Sequence, residues 1–156
     1  MYSIWFGGCM RVTYLGSAES SGFFAAKQMK MPLYVESVSA GFPSPAQDFV
    51  ECSLDLNELC IQHPSATFFV RAQGDSMVDA GIHSGDVLVV DRSLTAKHGD
   101  IVIASIHGEL TVKELCLKPE SILRPHNTAY PVIPISEHSE FEIFGVVTGV
   151  VRRLDR

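Results

Sequence analysis

Two residues of this 156-residue chain have the types and surroundings for hydrolytic chemistry. Ser76 lies in Gly74-Asp75-Ser76-Met77, between the apolar run Thr67-Phe68-Phe69-Val70-Arg71-Ala72 and a glycine turn ending at Gly85. A hydroxyl on a tight turn at the end of a strand suits a nucleophile, because the backbone can present the oxygen and neighbouring N–H donors to one carbonyl. Lys113 is a lone lysine within Leu110-Thr111-Val112-Lys113-Glu114-Leu115. A lysine works as a general base only if its pKa falls from about 10.4 toward neutrality, since otherwise about one molecule in a thousand is unprotonated near pH 7.4. Burial among apolar neighbours penalises the ammonium and lowers that value. Both signals have ordinary alternatives. Gly-Asp-Ser also simply closes loops. Lys113 shares strand parity with Leu115 and Leu117 but also with Glu109, so by composition alone a solvated strand lysine is the default.

Other chemistries have weaker support. The six histidines, His63, His83, His98, His107, His126 and His138, form no H-E-x-x-H and no pairing with cysteine at ligand spacing, so no metal and no cofactor is expected. Serine, histidine and aspartate for a triad are all present, yet neither G-x-S-x-G nor another local signature singles out a histidine. Cys9, Cys52, Cys60 and Cys116 stand singly, which predicts reduced thiols in the cytoplasm. A net charge of −6, with basic residues clustered only in the tail Arg152-Arg153-Leu154-Asp155-Arg156, argues against direct DNA binding. Hydrophobic residues make up 46% of the chain, but no apolar run reaches the roughly 18 to 20 residues that span a bilayer, so no membrane anchor is expected.

The elements that must position Ser76 and Lys113 read as strands: 67–72, 86–91, 101–106, 109–117, 122–124, 132–135 and 141–151. His107-Gly108 is a two-residue link that predicts a tight hairpin, while Lys97-His98-Gly99-Asp100 and Pro125-His126-Asn127 are turn clusters. One short helix is expected within 53–62, with Asp55 as N-cap, Glu58 three residues later, and Leu56, Leu59 and Cys60 on one face. Many short strands with so little helix predict a mainly β body, a curled sheet or partly open barrel.

Residues 1–31, broken by Gly7, Gly8, Gly16 and Gly22, read as a poorly structured arm, and Met10, Met29 and Met31 are candidate downstream starts. Ile4-Trp5-Phe6 lacks the basic flank and continuous apolar stretch of an export signal. Proline keeps Met31-Pro32-Leu33-Tyr34-Val35 extended, either as a docking peptide or packed on its own domain. In Val38-Ser39-Ala40-Gly41-Phe42-Pro43-Ser44-Pro45, small residues and two prolines describe an extended, unhindered segment. These are properties of a scissile bond, because Gly41 has no Cβ to block approach to the Ala40 carbonyl, and equally properties of a linker.

Several dispersed strings occur in one order: Ala40-Gly41-Phe42-Pro43-Ser44-Pro45, Leu54-Asp55-Leu56-Asn57, Gln62-His63-Pro64-Ser65-Ala66-Thr67, Gly74-Asp75-Ser76-Met77, His98-Gly99-Asp100-Ile101-Val102, Thr111-Val112-Lys113 and Phe144-Gly145-Val146-Val147. Together they resemble the UmuD branch of the LexA/UmuD self-cleaving peptidases, from about residue 30 to the C-terminus. The resemblance implies a catalytic domain of the LexA/signal-peptidase type, with Ser76 as nucleophile, Lys113 as general base and an oxyanion hole from the backbone N–H groups of Asp75 and Ser76. It implies self-cleavage at Ala40-Gly41, so that residues 1–40 form a flexible arm and 41–156 the peptidase and polymerase-accessory domain. It further implies a cytoplasmic homodimer, stimulation by a RecA filament on single-stranded DNA, and a trimmed form that joins a UmuC-type polymerase, DNA polymerase V, in translesion synthesis. Pro32, Leu33 and Tyr34 resemble a segment that contacts the sliding clamp.

Two features depart from that branch. The scissile pair is Ala-Gly, the LexA-like choice, where UmuD-like chains usually have Cys-Gly, and the arm before it is longer than usual. A non-catalytic accessory protein would not need both Ser76 and Lys113. A LexA-like repressor would need a helix-turn-helix before the scissile bond, and no such pattern is present.

Overall fold

The structure, a computed structural model, describes residues 11–17, 31–34, 50–136 and 140–155. These residues fall into two compact units, one comprising 11–17 with 63–155 and the other comprising 31–34 with 50–62.

The larger unit is one antiparallel sheet of eight strands. Its strands are β1 (Arg11–Ser17), β4 (Thr67–Gln73), β5 (Val87–Asp91), β6 (Ile101–Ile106), β7 (Glu109–Cys116), β8 (Ile122–Arg124), β9 (Ile133–Pro134) and β10 (Phe141–Val151). They lie side by side in the order β1-β4-β5-β10-β6-β7-β8-β9. The sheet curls until β1, paired with β4 over its length, also meets β7 at Arg11 and Thr111. The mainly β, curled architecture expected from the sequence is therefore the observed one. Residues 11–17 are a correction, since the segment expected to lack regular structure supplies a strand.

Alternation explains why these segments become strands and which faces they bury. In β4, Phe68, Val70 and Ala72 point to a core that also holds Met77, Ile82, Leu88, Val90, Ile103 and Val112. Val102, Ala104, Leu115, Leu123 and Val146 form a second core. Successive residues of a strand face opposite sides, so Val102, Ile103 and Ala104, all fully buried, show β6 to be covered on both faces. The β6–β7 hairpin turns at His107 and Gly108, both at positive φ, which matches the right-handed twist of the flanking strands. The long strand β10 crosses from β6 to β5 at Gly145, where an added Cβ would lie 2.7 Å from Val90 Cγ1 and 2.9 Å from the Asp91 carbonyl oxygen.

The smaller unit is a hairpin of β2 (Met31–Tyr34) and β3 (Val50–Leu54), followed by α1 (Leu56–Cys60). Pro32 and Leu33 pair with Ser53 and Cys52, so the segment that proline was expected to keep extended is a strand. Asp55 caps α1 as expected, its carboxylate accepting the Asn57 amide at 2.8 Å. The helix has only five residues, however, and its expected apolar stripe stays open, with Leu56 66% and Leu59 60% exposed. A segment this short gains too few backbone hydrogen bonds to extend without packing.

Candidate active site

The loop that carries Ser76 is closed by backbone bonds at its base. The Ala72 amide donates to the Asp86 carbonyl at 2.9 Å and the Gly85 amide to the Ala72 carbonyl at 2.8 Å. Gly74 enters the loop at φ 102°, a conformation open to glycine because it has no Cβ. Met77 and Ile82, both essentially inaccessible, fasten the loop to the first core, and the Ile82 amide donates to the Met77 carbonyl. Behind the loop, the Arg152 guanidinium holds Asp86 through two bonds of 2.6 Å and also donates to the Gly81 carbonyl at 2.8 Å. That grip keeps the Asp86 carboxyl below the ordinary aspartate range and raises Arg152.

Lys113 arrives from β7, where it pairs with Val102 of β6. Thr111, Lys113 and Leu115 share a buried face, while Glu109 and Leu117, at the two ends of that parity series, are exposed. The Lys113 amine, 1% exposed, lies 2.9 Å from the Ser76 hydroxyl, itself fully buried. It also donates to the Thr111 hydroxyl at 3.0 Å and the Val112 carbonyl at 2.9 Å. Residues 37 apart in the chain thus share one hydrogen bond, in a site where three neutral oxygens receive the amine.

A second loop, after β8, grips the first. The His126 amide donates to the Ser76 carbonyl at 2.8 Å, and the Asp79 amide to the His126 carbonyl at 2.9 Å. The Asn127 side-chain amide donates to the Asp75 carbonyl at 3.0 Å, and the Tyr130 hydroxyl donates to the Asp75 carboxylate. The His126 ring is tied to Glu114, beside Lys113 on β7, at 2.5 Å. Sequence reading found Pro125-His126-Asn127 as a turn but missed these contacts, because turn chemistry gives no sign of which distant carbonyl a side chain will meet.

Of the other predicted positions, Ala40 and Gly41 lie outside the described residues, and the backbone of Pro32, Leu33 and Tyr34 belongs to the smaller unit. Among the described residues, no group of three or more histidine, cysteine or acidic side chains could hold a metal. Cys60 and Cys116 are free thiols, and burial, with Glu114 beside it, pushes Cys116 up. No helix among the described residues is long and apolar enough to cross a membrane.

A curled antiparallel sheet with a serine loop at the end of one strand and a buried lysine on another is the architecture of a class of serine peptidases. The peptidase S24-like family matches residues 32–148, and the chain belongs to that family, in its UmuD-like branch. It is 55% identical to protein MucA of Salmonella typhimurium over 131 residues, covering 83% of this chain and 88% of that one. It is 53% identical to protein SamA of the same species over 126 residues, with 81% and 88% covered. The LexA repressor of Psychromonas ingrahamii is 37% identical over 132 residues, covering 83% of this chain and 62% of the repressor.

Proposed function

We propose that the chain is a self-cleaving serine peptidase whose Ser76 and Lys113 cut its own Ala40-Gly41 bond. The observation that carries this reading is the 2.9 Å hydrogen bond between two buried groups, the Lys113 amine and the Ser76 hydroxyl. Neutral Lys113 takes the Ser76 proton as the oxygen attacks the Ala40 carbonyl, and the backbone N–H groups of Asp75 and Ser76 receive the developing oxyanion. The resulting ammonium returns the proton to the Gly41 nitrogen as the peptide bond breaks. Water, activated by the same amine, then releases residues 1–40 from the acyl-enzyme.

The family supports the wider reading. The trimmed chain, 41–156, serves an error-prone translesion polymerase of the UmuC type, DNA polymerase V, within the SOS response. It acts as a cytoplasmic homodimer, is triggered by a RecA filament on single-stranded DNA, and does not itself bind DNA. Pro32, Leu33 and Tyr34 contact the sliding clamp until the arm is lost. Ala-Gly at the bond keeps the small residues that an attacking serine requires.

Incubation of the full chain at mildly alkaline pH, where more Lys113 is neutral, tests the core of this reading. The parent is expected to yield a new N-terminus at Gly41, while Ser76→Ala and Lys113→Ala stay intact. If the parent also stays intact, both alone and with activated RecA filaments, the enzyme reading fails. Cleavage of Ser76→Ala at the parental rate would point to a contaminating protease.

A further inference from the structure

We infer that Asn127 is a positioning residue that aims the Ser76 N–H at the oxyanion, acting through the carbonyl of Asp75. This rests on the reading of Ser76 as nucleophile. The Asp75 carbonyl and the Ser76 amide belong to one planar trans peptide, so whatever fixes the carbonyl fixes the direction of the N–H on the other side. Two donors meet that carbonyl, the Asn127 side-chain amide at 3.0 Å and the Val78 amide at a longer 3.3 Å. The Val78 bond belongs to the loop itself and moves with it. Asn127 comes from a different loop, 52 residues away, and references the peptide to the rest of the fold.

The neighbouring peptide is anchored from the same side. The His126 amide donates to the Ser76 carbonyl at 2.8 Å, so consecutive residues hold the carbonyls before and after the hydroxyl. An oxyanion donor acts well only if its direction is set before the reaction, since any reorientation during it adds to the barrier. The loop glycines at 74, 81 and 85, all at positive φ, leave the backbone between them more conformational freedom than a strand has. An external reference is what such a loop needs.

Asn127 uses its two side-chain atoms for different purposes, which makes the inference testable. Its carbonyl oxygen accepts the Ala129 amide at 2.9 Å and shapes its own loop, while its NH2 group reaches Asp75. Asn127→Asp keeps the acceptor and deletes the donor. Asn127→Ser keeps a shorter acceptor without adding charge and cannot span to the Asp75 carbonyl.

The experiment follows self-cleavage of the full chain against pH, with thermal melting of each variant. The rate is read at the alkaline plateau, where a changed lysine titration no longer counts. Phosphonylation of Ser76 by a fluorophosphonate, whose oxygen occupies the same donor site, gives a second readout. Both variants are expected to lose about 100-fold in plateau rate, with a parallel loss in phosphonylation and a melting temperature close to the parent's. A plateau within threefold of the parent for either variant overturns the inference, as does a rate loss that merely follows a loss of folded protein. If the parent neither cleaves nor reacts with the probe, the nucleophile reading fails and the inference falls with it.

Discussion

Ser76 and Lys113 meet, but the two parts of the molecule that deliver them are built on opposite principles. Lys113 sits in a regular strand, and its place follows from the β6–β7 ladder that pairs it with Val102. Ser76 sits on a loop with glycines at φ 102°, 80° and 94°, where no ladder fixes the backbone. The strand sets the amine's position through its ladder and offers two of the oxygens that receive it, Thr111 Oγ1 and the Val112 carbonyl. The loop depends on contacts from elsewhere: Met77 and Ile82 in the core, His126, Asn127 and Tyr130 from a second loop, and Arg152 from the chain's last described segment. A regular element is specified locally, whereas a reactive loop borrows its rigidity.

Substitutions on each side should break activity by different routes. Lys113→Met removes the amine and keeps a long apolar side chain in β7. Cleavage should fall at least about 1,000-fold with little change in melting temperature, because the ladder remains and losing the buried amine offsets the loss of its bonds to Ser76, Thr111 and Val112. A clear drop in melting temperature would mean that the strand, too, leans on this hydrogen bond. Met77→Ala should act the other way, through the loop's anchor. Emptying a fully buried site costs about 2–5 kcal/mol, and cleavage should weaken even in the fraction that stays folded. Denaturant unfolding beside the cleavage rate separates the two effects.

The same contrast decides what could be read in advance. The seven strands from 67 to 151 were legible because alternating or continuous apolar runs bounded by turn residues require a sheet and little else. Strand β1 was not, since Arg11–Ser17 contains Gly16 and becomes a strand only through pairing with β4. The short helix at 56–60 was legible by its Asp55 cap, but the spacing of Leu56, Leu59 and Cys60 did not give a packed face, since Leu56 and Leu59 are exposed. Ser76 and Lys113 were each ambiguous alone. Parity left the lysine's face open, and because Val112 and Cys116 on the other face are buried as well, only the 1% exposure of Lys113 itself and its bond to Ser76 resolve it. Asn127 and Arg152 carried no signal of their long-range partners, as is expected of contacts that exist only once the chain has folded.

A backbone crossing in the sheet, against Val90 of the core that also holds Met77 and Ile82, gives a control for the comparison. Gly145→Ala would place a methyl 2.7 Å from Val90 Cγ1 and 2.9 Å from a backbone oxygen that cannot move aside without disturbing β5. The expected cost is about 1–3 kcal/mol in stability, with cleavage per folded molecule unchanged. If cleavage falls in step with that of Met77→Ala, the sheet and the loop are not separable.

The smallest effect concerns the clasp behind the loop. Arg152 holds the folded-state pKa of Asp86 below its ordinary value of 3.8. Above 3.8 the carboxylate is ionised in folded and unfolded chains alike, and the clasp contributes in full. As pH falls through 3.8 the unfolded chain takes up a proton that the folded one still refuses, so this contribution declines until the lower folded pKa is passed. Arg152→Ala removes the largest cause of the shift. Its melting temperature should therefore lie below the parent's near neutral pH, with the gap narrowing as the buffer is taken from about pH 6 to about pH 3. A gap that stays constant over that range would show the clasp to act by packing instead of charge, and the loop's outer support would then be steric.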